Sequence, residues 1–286
     1  MAVTATPLTE ENTSRTVTTK DWTLHYNEAG QGHPVVFLHG SGPGATGWSN
    51  FSANIPPLAE RYRVLAVDMP GWGRSDAIEG GERDHTAATI QFLDELGIEK
   101  AAFVGNSMGG MTALRLAALH PDRVSHLVTM GAPAGRGGPG LFGPGDGPSE
   151  GLKVLVRGYL DPSEATMAEL VDVMTFRSGT DREDLARARA TAAQARPDHL
   201  KNFLEHLQRT HQVGTSATDS EIAHISTPTL LVHGRDDRVV HFENSLRLVS
   251  MIRDSRLVLL NGCGHWAQLE HATEFNRLVT DFIAHH

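Results

Sequence analysis

Short apolar runs alternate with helix-like patterns along most of the chain. The runs at residues 34–38, 63–67, 101–104, 126–130, 228–232 and 256–260 show little polar–apolar alternation. That is the pattern of strands covered on both faces. Residues 51–62, 87–96 and 108–119 read as helices between them, and Pro121 stops the last. Strands alternating with helices predict an α/β fold, a mostly parallel sheet flanked by crossover helices.

The rhythm breaks after Met130. Between residues 134 and 151, eleven of eighteen positions are Gly or Pro, so the segment reads as a mobile connector without regular structure. Four helical patterns follow without a strand, up to about His211. Two carry start signals. Asp161-Pro162-Ser163-Glu164 places a cap and then proline at the first helical position, and Thr180-Asp181-Arg182-Glu183 forms a capping box. Strands resume at residue 228. The expected organisation is a first core part at 1–134, a helical lid at 135–217 and a second core part at 218–286. The lid would cover the strand ends, where open α/β sheets bind ligands.

Composition narrows the class. The 25 basic and 34 acidic side chains leave a net charge of −9, which argues against a nucleic-acid or anionic-membrane surface. No run approaches the roughly 18 apolar residues of a membrane span. The first twenty residues lack the apolar core of a signal peptide. Cys263 is the only cysteine, which suits a reducing cytoplasm. Cys263 itself reads as a small buried filler.

The clearest chemistry is Gly105-Asn106-Ser107-Met108-Gly109, which matches G-x-S-x-G and falls between a predicted strand and a predicted helix. A serine on so tight a turn needs neighbours without bulk. The turn projects its hydroxyl beside the positive end of the following helix. Serine also needs a base, since its own proton is held too tightly near neutrality. In hydrolases with this turn the partners follow in the order Ser, Asp, His. Asp236 and Asp237 follow the 228–232 strand, and chemistry alone does not separate them. The G-x-x-D spacing from Gly234 selects Asp237, leaving Asp236 as a loop-capping or surface carboxylate. Among sixteen histidines, His265 stands just past the last strand, where it can reach Ser107.

After the first predicted parallel strand comes His39-Gly40-Ser41-Gly42-Pro43-Gly44-Ala45. Such a loop can turn amides toward an oxyanion, and the expected donors are those of Gly42 and Met108. A phosphate-cradling loop is disfavoured, since no G-x-x-x-x-G-K-[ST] pattern is present. Residues 68–75 read as a structural loop that shapes the crevice.

These segments, with Trp48-Ser49-Asn50, Gly234-Arg235-Asp236-Asp237-Arg238 and Gly262-Cys263-Gly264-His265-Trp266-Ala267-Gln268, resemble the meta-cleavage product hydrolases of the α/β-hydrolase superfamily. The likeness covers nearly the whole chain. It implies an α/β-hydrolase fold, no cofactor, a homo-oligomer (dimer or higher) and an anionic small-molecule substrate. The substrate would be a 2-hydroxy-6-oxo-hexa-2,4-dienoate from aromatic degradation. It also implies that Arg189 holds the substrate carboxylate, that Asn50 and Asn106 are polar pocket contacts, and that Trp266 is an aromatic wall. Periodicity puts Arg189 on one helical face with Leu185 and Ala192, with Arg187 pointing elsewhere and Arg182 less well placed. A solvated helix arginine, and a locally packed Asn106, are the plainer alternatives.

The chain departs from the family at Val239-Val240-His241, where Phe-Val-Pro is usual, and its lid is rich in alanine and arginine. Both leave the 6-substituent open. The expected reaction cleaves a C–C bond by the Ser107-Asp237-His265 triad, through an acyl-enzyme or a gem-diol. A carboxylesterase or lactonase with the same triad is the alternative. A ligand receptor on a hydrolase body is the alternative of another class.

Overall fold

The computed structural model describes residues 7–80, 82–134, 148–177, 179 and 181–286. Eight strands make one sheet: β1 (Ser14–Thr18), β2 (Thr23–Ala29), β3 (Pro34–Leu38), β4 (Arg63–Val67), β5 (Ala101–Asn106), β6 (Val124–Met130), β7 (Thr229–Gly234) and β8 (Ser255–Leu260). Their order is β1-β2-β4-β3-β5-β6-β7-β8. From β4 to β8 all neighbours are parallel, while β1 and β2 join antiparallel at one edge. Every residue of β5 and β7 is buried. That burial explains the continuous apolar runs at the sheet's centre.

The longer helices are α1 (His85–Glu95), α2 (Met108–Leu119), α3 (Glu150–Leu160), α4 (Glu164–Met174), α5 (Arg182–Gln194), α6 (Pro197–Thr210), α7 (Glu243–Met251) and α8 (Ala272–His285). Helices α3 to α6 lie between β6 and β7 with no strand among the described residues there. Their apolar faces supply Leu155, Met167, Leu170, Met174 and Phe203 to the same buried cluster as Leu38, Leu65 and Phe103 of the sheet.

Three local expectations need correction. Strands β1 and β2 escape the apolar pattern because β1 is a half-exposed edge rich in threonine, held by pairing rather than burial. The expected helix at 51–62 is two short ones, Gly47–Phe51 and Ile55–Ala59. Pro56 and Pro57 have no amide to continue the first, and the Asn54 side chain donates to Gln268 O and Asn276 Oδ1 instead. Helix α4 is capped by Ser163, not Asp161. Asp161 stands outside it and accepts from the Ser163 and Thr166 hydroxyls, so Pro162 precedes the helix rather than opening it. Thr180, the expected cap of α5, and residues 135–147 of the expected connector lie outside the described residues. Asp181 occupies the cap position.

The turn between β5 and α2 is closely packed by backbone. A Cβ on Gly109 would lie 2.0 Å from the Leu38 carbonyl oxygen, and one on Gly105 would lie 2.4 Å from the Gly109 oxygen. Both obstacles are backbone and cannot step aside. Gly97 has positive φ but nothing within 4 Å of its missing Cβ. Gly109→Ala is therefore expected to cost about 3 kcal/mol or more, and Gly97→Ala only the left-handed backbone penalty of about 1–2 kcal/mol. Urea unfolding of the two variants checks the ranking; equal losses would contradict it.

Candidate active site

Four strand ends build the site. β3 runs into the loop at residues 39–45, β5 into Ser107, β7 into Asp237 and β8 into His265. All leave the carboxyl edge of the parallel sheet.

Ser107 has φ 53° and ψ −114° and caps α2. A backbone in that region costs about 1–3 kcal/mol. Its surroundings over-determine it: the Ser107 amide donates to Met130 O at 2.9 Å, and its carbonyl accepts from Met111 N at 2.9 Å. The Gly42 and Met108 amides have no hydrogen-bond partner among the described residues. Met108 opens α2, so its amide is one of the helix's orphan donors.

His265 Nδ1 lies 2.7 Å from Asp237 Oδ2, and both side chains are buried. Asp237 Oδ1 accepts the Val239 and Val240 amides at 2.8 and 3.0 Å. Oδ2 also meets His233 Nε2 at 3.2 Å. Because His233 Nε2 is 2.8 Å from the Val240 carbonyl, which can only accept, that nitrogen carries a proton. Burial works to raise the Asp237 carboxyl. The nearby His265 and the bonds from His233 and His265 outweigh it, holding the group well below the usual carboxylate range. The stability this carboxylate contributes is complete above its unfolded value of about 4. It is lost only as pH falls through the lower folded value.

One narrow cavity is walled by Gly40, Ser41, Gly42, Asn50, Asn106, Ser107, Leu155, Met174, Arg189, His265 and Trp266. It gathers most of the residues singled out in the sequence. Asp237 and Met108 are not walls; they sit behind His265 and Ser107. Among the described residues no hydrogen bond joins Ser107 to His265, which meet only as walls of this cavity. Asn106 donates to the carbonyls of Met130 and His265, each at 3.3 Å, so its amide packs locally. Its Oδ1 is buried without a partner. Asn50 donates to Thr46 O at 3.0 Å.

Arg189 is 3% exposed. The buried face of α5 is Ala186, Arg189, Ala190 and Ala193. Leu185 and Ala192 are only half-buried, a rotation of the expected face. The Arg189 guanidinium lies 4.4 Å from the Trp266 ring centroid, and Nη1 donates to Pro43 O at 3.4 Å. No carboxylate pairs with it among the described residues. Burial lowers it to about 10, so it keeps its charge near neutrality. Arg182 and Arg187 are spent on Asp172 and Asp184.

The model of the alpha/beta hydrolase fold family matches residues 33–272. The chain is 44% identical over 285 residues to the 2-hydroxy-6-oxononadienedioate/2-hydroxy-6-oxononatrienedioate hydrolase of Cupriavidus pinatubonensis, covering 96% of this chain and 97% of that one. It belongs to the α/β-hydrolases, among the meta-cleavage product hydrolases. A further relative in Comamonas testosteroni, a 2-hydroxy-6-oxo-6-phenylhexa-2,4-dienoate hydrolase, is 42% identical, with 97% and 99% of the two chains covered. The solved meta-cleavage product hydrolase of Pseudomonas fluorescens IP01 is 34% identical, with TM-score 0.82 and 94% and 97% coverage.

Several groups of this meta-cleavage product hydrolase site gave no sequence signal. His233 and Tyr159 look like ordinary core residues until their partners are seen. His39 accepts the Met69 amide on Nε2 at 2.9 Å and meets the Gly40 carbonyl through Nδ1 at 2.8 Å. It is therefore neutral, and burial lowers it to about 4. Asp236 accepts the Gly262 amide at 2.9 Å, away from His265. Asp237→Asn is expected to reduce kcat by about 10⁴, as when a triad histidine loses its orienting carboxylate. Asp236→Asn should stay within about threefold, since it alters a loop bond and a partly exposed pair with Arg235, both away from His265. Steady-state kinetics on both variants decide, and the opposite ranking would exchange the two roles.

Proposed function

We propose that this protein hydrolyses the C5–C6 bond of 2-hydroxy-6-oxo-hexa-2,4-dienoates, giving a 2-hydroxypenta-2,4-dienoate and a carboxylic acid. The observation that carries the reading is Arg189: a buried guanidinium without an anionic partner among the described residues, in the same cavity as Ser107 and His265. An uncharged ester needs no such cation. An anionic dienoate does, the more so in a protein of net charge −9. Identity above 40% to two hydrolases of such substrates supports the same reading.

The carboxylate binds Arg189 beside Trp266, with Asn50 and Asn106 as further polar contacts. Proton transfer to C5 first gives the keto form, whose C2 carbonyl is the electron sink. Ser107, with His265 as base, then attacks the C6 carbonyl or activates the water that does. Asp237 orients His265, and the Gly42 and Met108 amides stabilise the oxyanion. The C5–C6 pair leaves into the dienolate, and one water is consumed overall. Leu155 and Met174 form apolar walls that suit an uncharged group at C6.

The segment 135–217, through its helices α3 to α6, acts as a lid on a core made of 1–134 and 218–286, since α3, α4 and α5 supply Leu155, Met174 and Arg189 to the cavity. The protein works in the cytoplasm, consistent with its lone buried thiol. It assembles as a homo-oligomer, for which the half-open apolar residues of edge strand β8 offer a surface. No helix among the described residues is long and apolar enough to cross a membrane.

Spectrophotometric assay against dienoates with methyl, alkyl and phenyl 6-substituents, beside aryl esters, is the direct test. Ser107→Ala should lose orders of magnitude in kcat while still binding ligand; retention of a tenth of the activity would reject the nucleophile. Arg189→Ala should lower kcat/KM on a dienoate by roughly ten- to a hundredfold, the worth of a charge-assisted bond of about 1.5–3 kcal/mol. An uncharged ester should lose far less. Good turnover of esters with none of dienoates would make the protein an esterase.

A further inference from the structure

A lid tyrosine reaches the oxyanion loop. Tyr159, near the end of α3, is buried. Its hydroxyl lies 2.6 Å from Ser41 O and 3.0 Å from Trp72 Nε1. The bond directions are forced, since an indole N–H only donates and a carbonyl only accepts. The phenol therefore takes the Trp72 proton bond and gives its own to Ser41. Burial pushes the phenol above its ordinary range, against the Trp72 bond and the Arg83 and Arg189 charges, so the donor proton stays in place. The Tyr159 ring stacks on Phe203 at 4.2 Å, and the Trp72 ring carries the Arg83 guanidinium at 5.1 Å. Both rings are fixed.

The Ser41 carbonyl and the Gly42 N–H belong to one peptide unit. That unit is planar and trans, so the two groups point in opposite directions. Holding the carbonyl toward Tyr159 turns the Gly42 amide away from it. Accepting a short bond also polarises the amide, and the chain Trp72 N–H, Tyr159 O–H, Gly42 N–H strengthens each successive donor. The loop needs such an anchor, because Gly42 and Gly44 leave its peptides free to rotate. Gly44 sits at φ +65° with the α5 backbone so close that a Cβ would lie 2.3 Å from Arg189 O. The lid thus presses on the loop from two helices.

We infer that Tyr159 is the positioning residue of the oxyanion hole, holding the Ser41–Gly42 peptide so that its N–H faces the cavity only when α3 is seated. The inference rests on the reading of Gly42 as an oxyanion donor. It makes lid docking a condition of transition-state stabilisation, beyond covering the substrate.

Tyr159→Phe removes one oxygen and keeps the stacked ring. On a dienoate it should lower kcat about tenfold with KM within about twofold, less than the 10²–10³ lost when a donor is deleted outright. Phenylboronic acid, whose Ser107 adduct puts an oxygen in the same hole, should bind about tenfold more weakly. Affinity for 2-hydroxypenta-2,4-dienoate, held through its carboxylate, should not change. General damage to the fold would move all three. Unchanged kcat, or a loss confined to KM, overturns the inference. If Tyr159→Phe does not fold, Trp72→Phe takes its place. It removes the first donor of the chain and should cost about threefold in kcat with the same split, and unchanged kcat there overturns the inference equally. A wild-type protein that turns over no dienoate would defeat the proposed function instead. The boronate comparison would still decide on Tyr159, because that adduct needs the same amides whatever the natural substrate.

Discussion

The site depends on one strained residue. Ser107 stays at φ 53° because backbone surrounds it: the Met130 carbonyl takes its amide, and Gly105 and Gly109 let neighbouring chain come closer than any side chain would permit. The strain has two consequences. It lifts the hydroxyl off the sheet edge into the cavity, and it leaves the first amides of α2 unspent beside it. The buried strands around it hold a conformation that the serine would not choose alone.

Two buried charges in this site are treated in opposite ways. Asp237 is compensated on every side, by two backbone amides, His233 and His265. It is a fixed part of the machinery. Arg189 is given one carbonyl and one aromatic face. Those contacts offset part of the cost of burying a cation and leave its donors available to an anion. The two charges differ as a finished network differs from an unfinished one: Asp237 has its partners in place, and Arg189 lines the cavity with no carboxylate beside it among the described residues.

Helices α3 to α6 meet the rest of the fold through polar contacts as well as apolar burial. Tyr159 and Arg189 come from α3 and α5, and both touch the loop after β3 at Ser41 and Pro43. Phe203 of a third helix packs on Tyr159 and Trp72. The loop, these helices and the crevice therefore share one set of contacts, and displacement of α3 or α5 would disturb the loop at residues 41–43.

The parts legible in the sequence are those encoded locally. Continuous apolar runs mark β3 to β8, since strands buried on both faces have no polar side to show. The G-x-S-x-G turn announces Ser107 because its glycines are a steric requirement of the turn itself. Asp237 and His265 follow from their places just past two strands. Tertiary structure alone decided the rest. The edge strand β1 exists by pairing with β2, the helix at 51–62 breaks where Asn54 finds distant partners, and the inward face of α5 is set by what packs against it. The bond from Tyr159 to Ser41 spans 118 residues of chain, and His233 is one histidine among sixteen until Asp237 is seen beside it. Periodicity and turn chemistry act over a few residues, whereas the bonds from His265 to Asp237 and from Tyr159 to Ser41 join residues far apart in the chain, and only the folded chain brings them within 3 Å.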